Sequence, residues 1–99
     1  MRIAKERVWI HRNEVVDAVE TFNENKLEFF SYTYKIMIEG SWVPIVRFDN
    51  WEIGSHCDKY DENGSLVAQQ QCPKRTLGEV ARLAKEFRRN LVTMDISAL

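Results

Sequence analysis

The stretch from Arg47 to Tyr60, RFDNWEIGSHCDKY, puts a fixed cation, carboxylates, an amide, an imidazole and a phenol into one short window. Its spacing is R-x-D-N, five residues, then H-x-D-x-Y. His56 is the side chain of the window best suited to moving a proton near neutral pH. Asp49 or Asp58 can orient its ring. Arg47 can clamp a phosphate through two N–H groups and stabilise charge that develops there. Tyr32, Tyr34, Trp51 and Tyr60 offer rings for stacking a base. Asn50 either joins this substrate-facing set or closes the turn after Asp49. Together these residues suit metal-independent cleavage of RNA, in which the 2′-hydroxyl attacks and the protein supplies proton transfer and charge. That chemistry calls for no cofactor and no metal. Two other readings use the same residues. Asp49, His56 and Asp58 resemble a set of ligands for a divalent ion, an unspecific signal. Arg47 and Asp49, two apart on a strand, equally make a structural salt bridge.

These residues need elements to position them. Period-two alternation from Leu27 to Ile38 predicts a strand. Gly40-Ser41 predicts a turn, and Trp42 to Asp49 the returning strand, with Pro44 marking an edge or a bulge. That turn would set Ile38 opposite Val43, Ile36 opposite Ile45, Tyr34 opposite Arg47 and Tyr32 opposite Asp49. Cross-strand partners share a face, so both tyrosines are expected beside Arg47 and Asp49. An odd change of register would dissolve that cluster. His56 to Tyr60 predicts a third strand, with His56, Asp58 and Tyr60 on one side and Cys57 on the other. After the Asn63-Gly64 turn, Ser65 to Gln69 forms a fourth.

Helices complete the outline. Asn13 is read as a cap, with Val15, Val16, Val19 and Phe22 at helical spacing after it. Strict alternation fails at Val15–Val16, which favours helix over strand there. Thr76 and Glu79 form a capping box ahead of a C-terminal helix, and the last residues are expected to fray. Residues 3–10 read as a short strand or an ordered arm. The fold class is therefore α+β: one domain over residues 1–99, a small antiparallel β-meander of about four strands, with an N-terminal and a C-terminal helix packed on one face.

Ninety-nine residues with 29% charged and a net charge of −1 describe neither a polyanion binder nor a disordered acidic tail. Basic residues gather at both ends, which makes a positive patch if the ends meet, or two solvated faces. Cys57 and Cys72 lack metal spacing and are too few for a disulfide scaffold. With no apolar leader or membrane-length segment visible, a cytoplasmic protein without membrane contact is expected.

The block R-[FY]-D-N, a short loop and H-x-[DH] resembles that of TumE-type toxins of prokaryotic toxin–antitoxin pairs and of related small domains. The likeness spans roughly residues 30–67 and, more loosely, the last helix. It carries over to Arg47, Asp49, Asn50, His56 and Asp58. The chain departs from the family at Asp58, where a second histidine is usual, and at Trp51-Glu52-Ile53-Gly54, where an A-H-G-like segment is usual. The resemblance implies a toxin of ribonuclease class, with RNA as substrate and an antitoxin protein as partner; a homodimer is a separate expectation. The alternative is a non-catalytic interaction domain in which the Arg47–Tyr60 block is structural.

Overall fold

The computed structural model describes residues 1–51 and 54–99. Six strands, β1 (Arg2–His11), β2 (Glu14–Asn23), β3 (Lys26–Ile38), β4 (Ser41–Asp49), β5 (His56–Tyr60) and β6 (Leu66–Gln71), precede one α-helix, α1 (Leu77–Phe87). Each strand pairs antiparallel with the next, in the order β1-β2-β3-β4-β5-β6. Two 3₁₀ turns, Arg88–Val92 and Ile96–Ala98, end the chain. This corrects the expected α+β domain of about four strands and two helices. Among the described residues the protein is mostly β, with a six-stranded sheet and a single C-terminal α-helix.

The error lies at residues 14–23, which form β2 and not a helix. Val15 and Val16 are both fully buried, on opposite faces of the sheet. A strand covered on both sides has no reason to alternate apolar with polar, so the break in alternation at that pair was no sign of helix. The β-branched content of the segment favours the strand as well. Asn13, read as a helix cap, instead takes φ 62 in the tight turn that joins β1 to β2. The next two hairpins turn on Glu24-Asn25 and Glu39-Gly40, all four residues having positive φ. That is the signature of turns whose twist matches the strands they join.

The sheet has two unlike faces. One carries Val16, Ala18, Tyr32, Tyr34, Val46, Phe48 and Cys57, packed against Val80, Ala84, Leu91 and Leu99 of the C-terminal segment. The Thr76–Glu79 capping box starts α1, with Thr76 Oγ1 accepting from Glu79 N–H at 3.1 Å and Glu79 Oε1 accepting from Thr76 N–H at 3.0 Å. The final residues were expected to fray, yet they dock. Lys59 donates to the Leu91 carbonyl and, at 3.3 Å, to that of Val92, and Arg75 donates to the Leu99 carbonyl at 2.5 Å. A cation placed on carbonyls that the turn leaves free stabilises its end. Among the described residues, no helix is long and apolar enough to cross a membrane.

Glu14 ties this segment to the β1–β2 hairpin. It is fully buried and accepts from the Tyr34 hydroxyl at 2.5 Å and from Arg88 Nη2 at 2.5 Å. Burial pushes its carboxyl up, but hydrogen bonds from Arg88 and Tyr34 and the charges of Arg88 and Arg89 outweigh that and hold it below its ordinary value. A carboxyl depressed by folding contributes stability above its unfolded pKa, about 4.3, and loses it as pH falls through the folded value. Urea midpoints measured from neutral pH downward should therefore fall more steeply below about pH 4.3 in the native chain than in Glu14→Gln. Parallel curves would contradict this role.

Candidate functional site

On the face opposite α1, the registers line polar residues into rows that cross all six strands. Arg7, Asp17, Thr33, Arg47, Asp58 and Gln69 lie opposite one another strand by strand. The neighbouring row is Lys5, Val19, Ser31, Asp49, His56 and Gln71. The window residues Arg47, Asp49, His56 and Asp58 occupy adjacent places in these rows on β4 and β5. Their proximity follows from strand pairing, which puts facing Cβ atoms within about 5.5 Å.

The four side chains form one connected group. Arg47 Nη2 donates to Asp58 Oδ2 at 2.8 Å, and Arg47 Nε lies 2.8 Å from Asp49 Oδ2. The Nε–H is not aligned with that oxygen and has no other hydrogen-bond partner among the described residues. His56 Nε2 is 2.9 Å from Asp49 Oδ1 and 3.7 Å from Asp58 Oδ1. Its Nδ1 lies 2.8 Å from the Gly54 carbonyl oxygen. Both ring nitrogens thus face oxygen acceptors, and the ring satisfies both only when it carries both protons. Asp58 Oδ1 accepts from Gln69 Nε2 at 2.8 Å, and Asp49 Oδ1 accepts from Trp51 N–H at 3.0 Å. His56, Asp49 and Asp58 are buried, whereas the Arg47 side chain is 40% exposed. Burial disfavours the Arg47 charge, but the Asp58 hydrogen bond and the negative groups around it hold the guanidinium's pKa above its ordinary value. Arg47 therefore stays cationic.

Asp49 and Arg47 open onto a cleft of about 310 Å³ lined also by Val19, Thr21, Phe29, Phe30, Ser31 and Trp51. Phe29 and Trp51 pack with ring centroids 5.0 Å apart and make an aromatic wall. Tyr60 sits on the other side of Arg47, its ring centroid 5.7 Å from the guanidinium carbon. The site thus has an apolar, aromatic pocket with one exposed cation at its polar end and a buried His–Asp pair behind it. Concave apolar pockets with a few convergent polar groups are where small ligands bind.

The structure places three of the expected substrate-facing residues elsewhere. Tyr32 and Tyr34 do not stand beside Arg47 and Asp49. The turn centres on Glu39-Gly40, not Gly40-Ser41, and a bulge shifts the register between Lys35–Pro44 and Tyr34–Val46. That one extra residue flips the strand, so Thr33 faces Arg47 and Ser31 faces Asp49. Both tyrosines lie in the core under α1, their hydroxyls bonded to Glu20 and Glu14. Asn50 is committed to β3: its side chain accepts from Phe30 N–H and donates to the Glu28 carbonyl, both at 2.9 Å. Trp51 and Tyr60 flank Arg47. Glu52 and Ile53, the middle of the segment that departs from the TumE pattern, lie outside the described residues. Phe29, Ser31, Thr21 and Gln69 escaped the sequence reading. Counting the odd residues of β3 onto one face would have found the first two, once Pro44 was taken as a bulge.

Two other chemistries can be weighed here. Cys57 points into the core beneath α1, and burial, reinforced by Cys72, pushes its thiol up to about 12, which leaves it a poor nucleophile. The ligand atoms of Asp49, His56 and Asp58 lie within 4.8 Å of one another, close enough to share a metal ion. Arg47 already stands 2.8 Å from both carboxylates, however. A divalent ion would have to displace that cation and take the ring nitrogen now facing Asp49.

Residues 5–92 match the family described as Domain of unknown function (DUF7718), and the chain belongs to that family. No curated protein and no solved structure matches the chain significantly.

Proposed function

We propose that this DUF7718 chain is a toxin-like, metal-independent ribonuclease that holds a phosphate at Arg47 and a base against Phe29 and Trp51. The observation that carries the reading is the meeting, in one cleft, of an exposed cation, an aromatic wall and Asp49, with His56 bonded to Asp49 behind it. Arg47 offsets charge growing on the phosphoryl oxygens, as a positioned guanidinium does. The 2′-oxygen bonds to phosphorus and the bond to the 5′-oxygen breaks. Asp49 takes the proton from the 2′-hydroxyl, and His56 gives one to the departing 5′-oxygen. The 2.9 Å contact between Asp49 and His56 lets the proton return, which restores both groups. The likeness of the R-x-D-N and H-x-D block to TumE-type toxins supports the class of function. With it come an antitoxin protein as partner and a cytoplasmic setting, where two free thiols are at home.

The test is to incubate the purified chain with single-stranded RNA and with its 2′-deoxy counterpart, with and without a chelator. Cleavage of the RNA alone, leaving 2′,3′-cyclic phosphate ends and indifferent to chelation, is expected. Cutting of both strands, loss of cutting on chelation, or no cutting at all would overturn the reading.

One observation favours a second reading. Asp58 is fully buried and bonded to Arg47 and Gln69, and both His56 nitrogens are engaged internally. Such a group can serve as a structural knot in an interaction domain. A folded Arg47→Ala, His56→Ala double variant that keeps its partner binding would support that alternative.

A further inference from the structure

We infer that the open face binds an extended single-stranded RNA along the strand direction, with bases stacked on two aromatic platforms at opposite ends and phosphates held between them. The inference rests on the ribonuclease reading for the bond that is cut, but not for the binding itself. The first platform is Phe29 with Trp51, beside Arg47. The second is Trp9 with Trp42, whose ring centroids lie 5.9 Å apart, edge to face. Trp9 pairs with Val15 and Trp42 with Met37, which puts both rings on the same face as Arg47 and Asp49. Met37 and Phe29 are eight residues apart on β3, so the platforms are separated by about 27 Å along the strand.

Both platforms are open to a ligand. Trp9 is 60% exposed and Trp51 is 58% exposed. Large rings left in water on a face that also carries a cleft point to something that covers them.

Burial sorts the charges of this face by depth. Asp49 and Asp58 are at most 4% exposed, whereas the side chains of Arg7, Lys35 and Arg47 are 39%, 30% and 40% exposed. Asp17, which pairs with both Arg7 and Lys35, is the more covered partner at 23%. An approaching chain therefore meets cations, although the face is close to neutral in count. The Arg7 guanidinium lies 4.8 Å from the Trp42 ring centroid, so cation and ring form one surface. Cations between stacking platforms match a single-stranded nucleic acid, which offers a charged backbone and a ring at every step. An acidic peptide would use the cations and leave the rings uncovered.

Fluorescence anisotropy of 2′-O-methyl oligonucleotides tests this, because they lack the hydroxyl that cleavage needs. An oligomer of about eight nucleotides should bind about tenfold more tightly than one of about three, which reaches only one platform at a time. Trp9→Ala, at an exposed position, should remove that advantage and leave the short oligomer still able to bind at the Phe29–Trp51 platform. Equal affinity for both lengths would overturn the inference. So would a Trp9→Ala variant that binds the long oligomer normally, or a polyglutamate chain of equal charge that competes as well as the oligonucleotide. Failure of the ribonuclease reading shows separately: length-dependent binding without RNA cleavage removes the chemistry and keeps the surface. Cleavage without length dependence does the reverse.

Discussion

Replacing Asp58 by alanine is expected to destabilise the chain by about 3 kcal/mol, as removing one member of a buried ion pair does. Asp58 is fully buried, and its two oxygens accept from Arg47 and Gln69 at 2.8 Å. The variant leaves buried His56 with Asp49 as its remaining carboxylate, and Gln69 without its acceptor. The low end of the usual range applies because Arg47 is half-exposed and can turn toward water. For a small domain whose whole stability is about 5–15 kcal/mol, that is a large share. Asp58→Asn keeps the shape and one acceptor and should lose less. Urea unfolding measures both. A loss under about 1 kcal/mol for Asp58→Ala would show that the group is not coupled as its geometry implies.

The second large effect concerns rate. His56→Gln should lower RNA cleavage by about 10²–10⁴-fold, the range for removing a general acid. Glutamine can still donate to Asp49 and fill most of the ring's volume, but its amide cannot give up and regain a proton. The loss should therefore appear in kcat more than in KM, since Arg47, Phe29 and Trp51 still hold the substrate. The Asp49–His56 contact at 2.9 Å is the link through which the proposed mechanism returns the proton. A structural role for His56 would move stability and leave the rate per folded molecule unchanged.

The sequence carries the strand parity of β5 on its surface. His56 and Asp58 face one way and Cys57 the other because period two is a local property of an extended chain. The capping box at Thr76 is readable for the same reason. What fails depends on tertiary context. Val15 and Val16 break alternation because both are buried, one on each face of the sheet, which no local pattern announces. The place of Tyr32 and Tyr34 turns on one bulge next to Pro44. Proline there signalled an irregularity, but not that it would reverse which residues meet Arg47. Asn50 illustrates a third limit. Its amide bridges the backbone of Glu28 and Phe30, about twenty residues earlier, a contact visible only once β3 and β4 are paired. The R-x-D-N and H-x-D block holds Arg47, Asp49, Trp51 and His56, whereas Phe29, the other ring of the cleft's aromatic wall, lies outside it.

The central claim is that the Arg47–Asp49–His56–Asp58 group performs chemistry and is not only a clasp between β4 and β5. Single-turnover cleavage of single-stranded RNA by the native chain and by His56→Gln, at equal concentrations of folded protein, addresses it most directly. The account predicts a native rate that the variant lowers by about 10²–10⁴-fold, with oligonucleotide binding preserved. A variant that cleaves as fast as the native chain would contradict it.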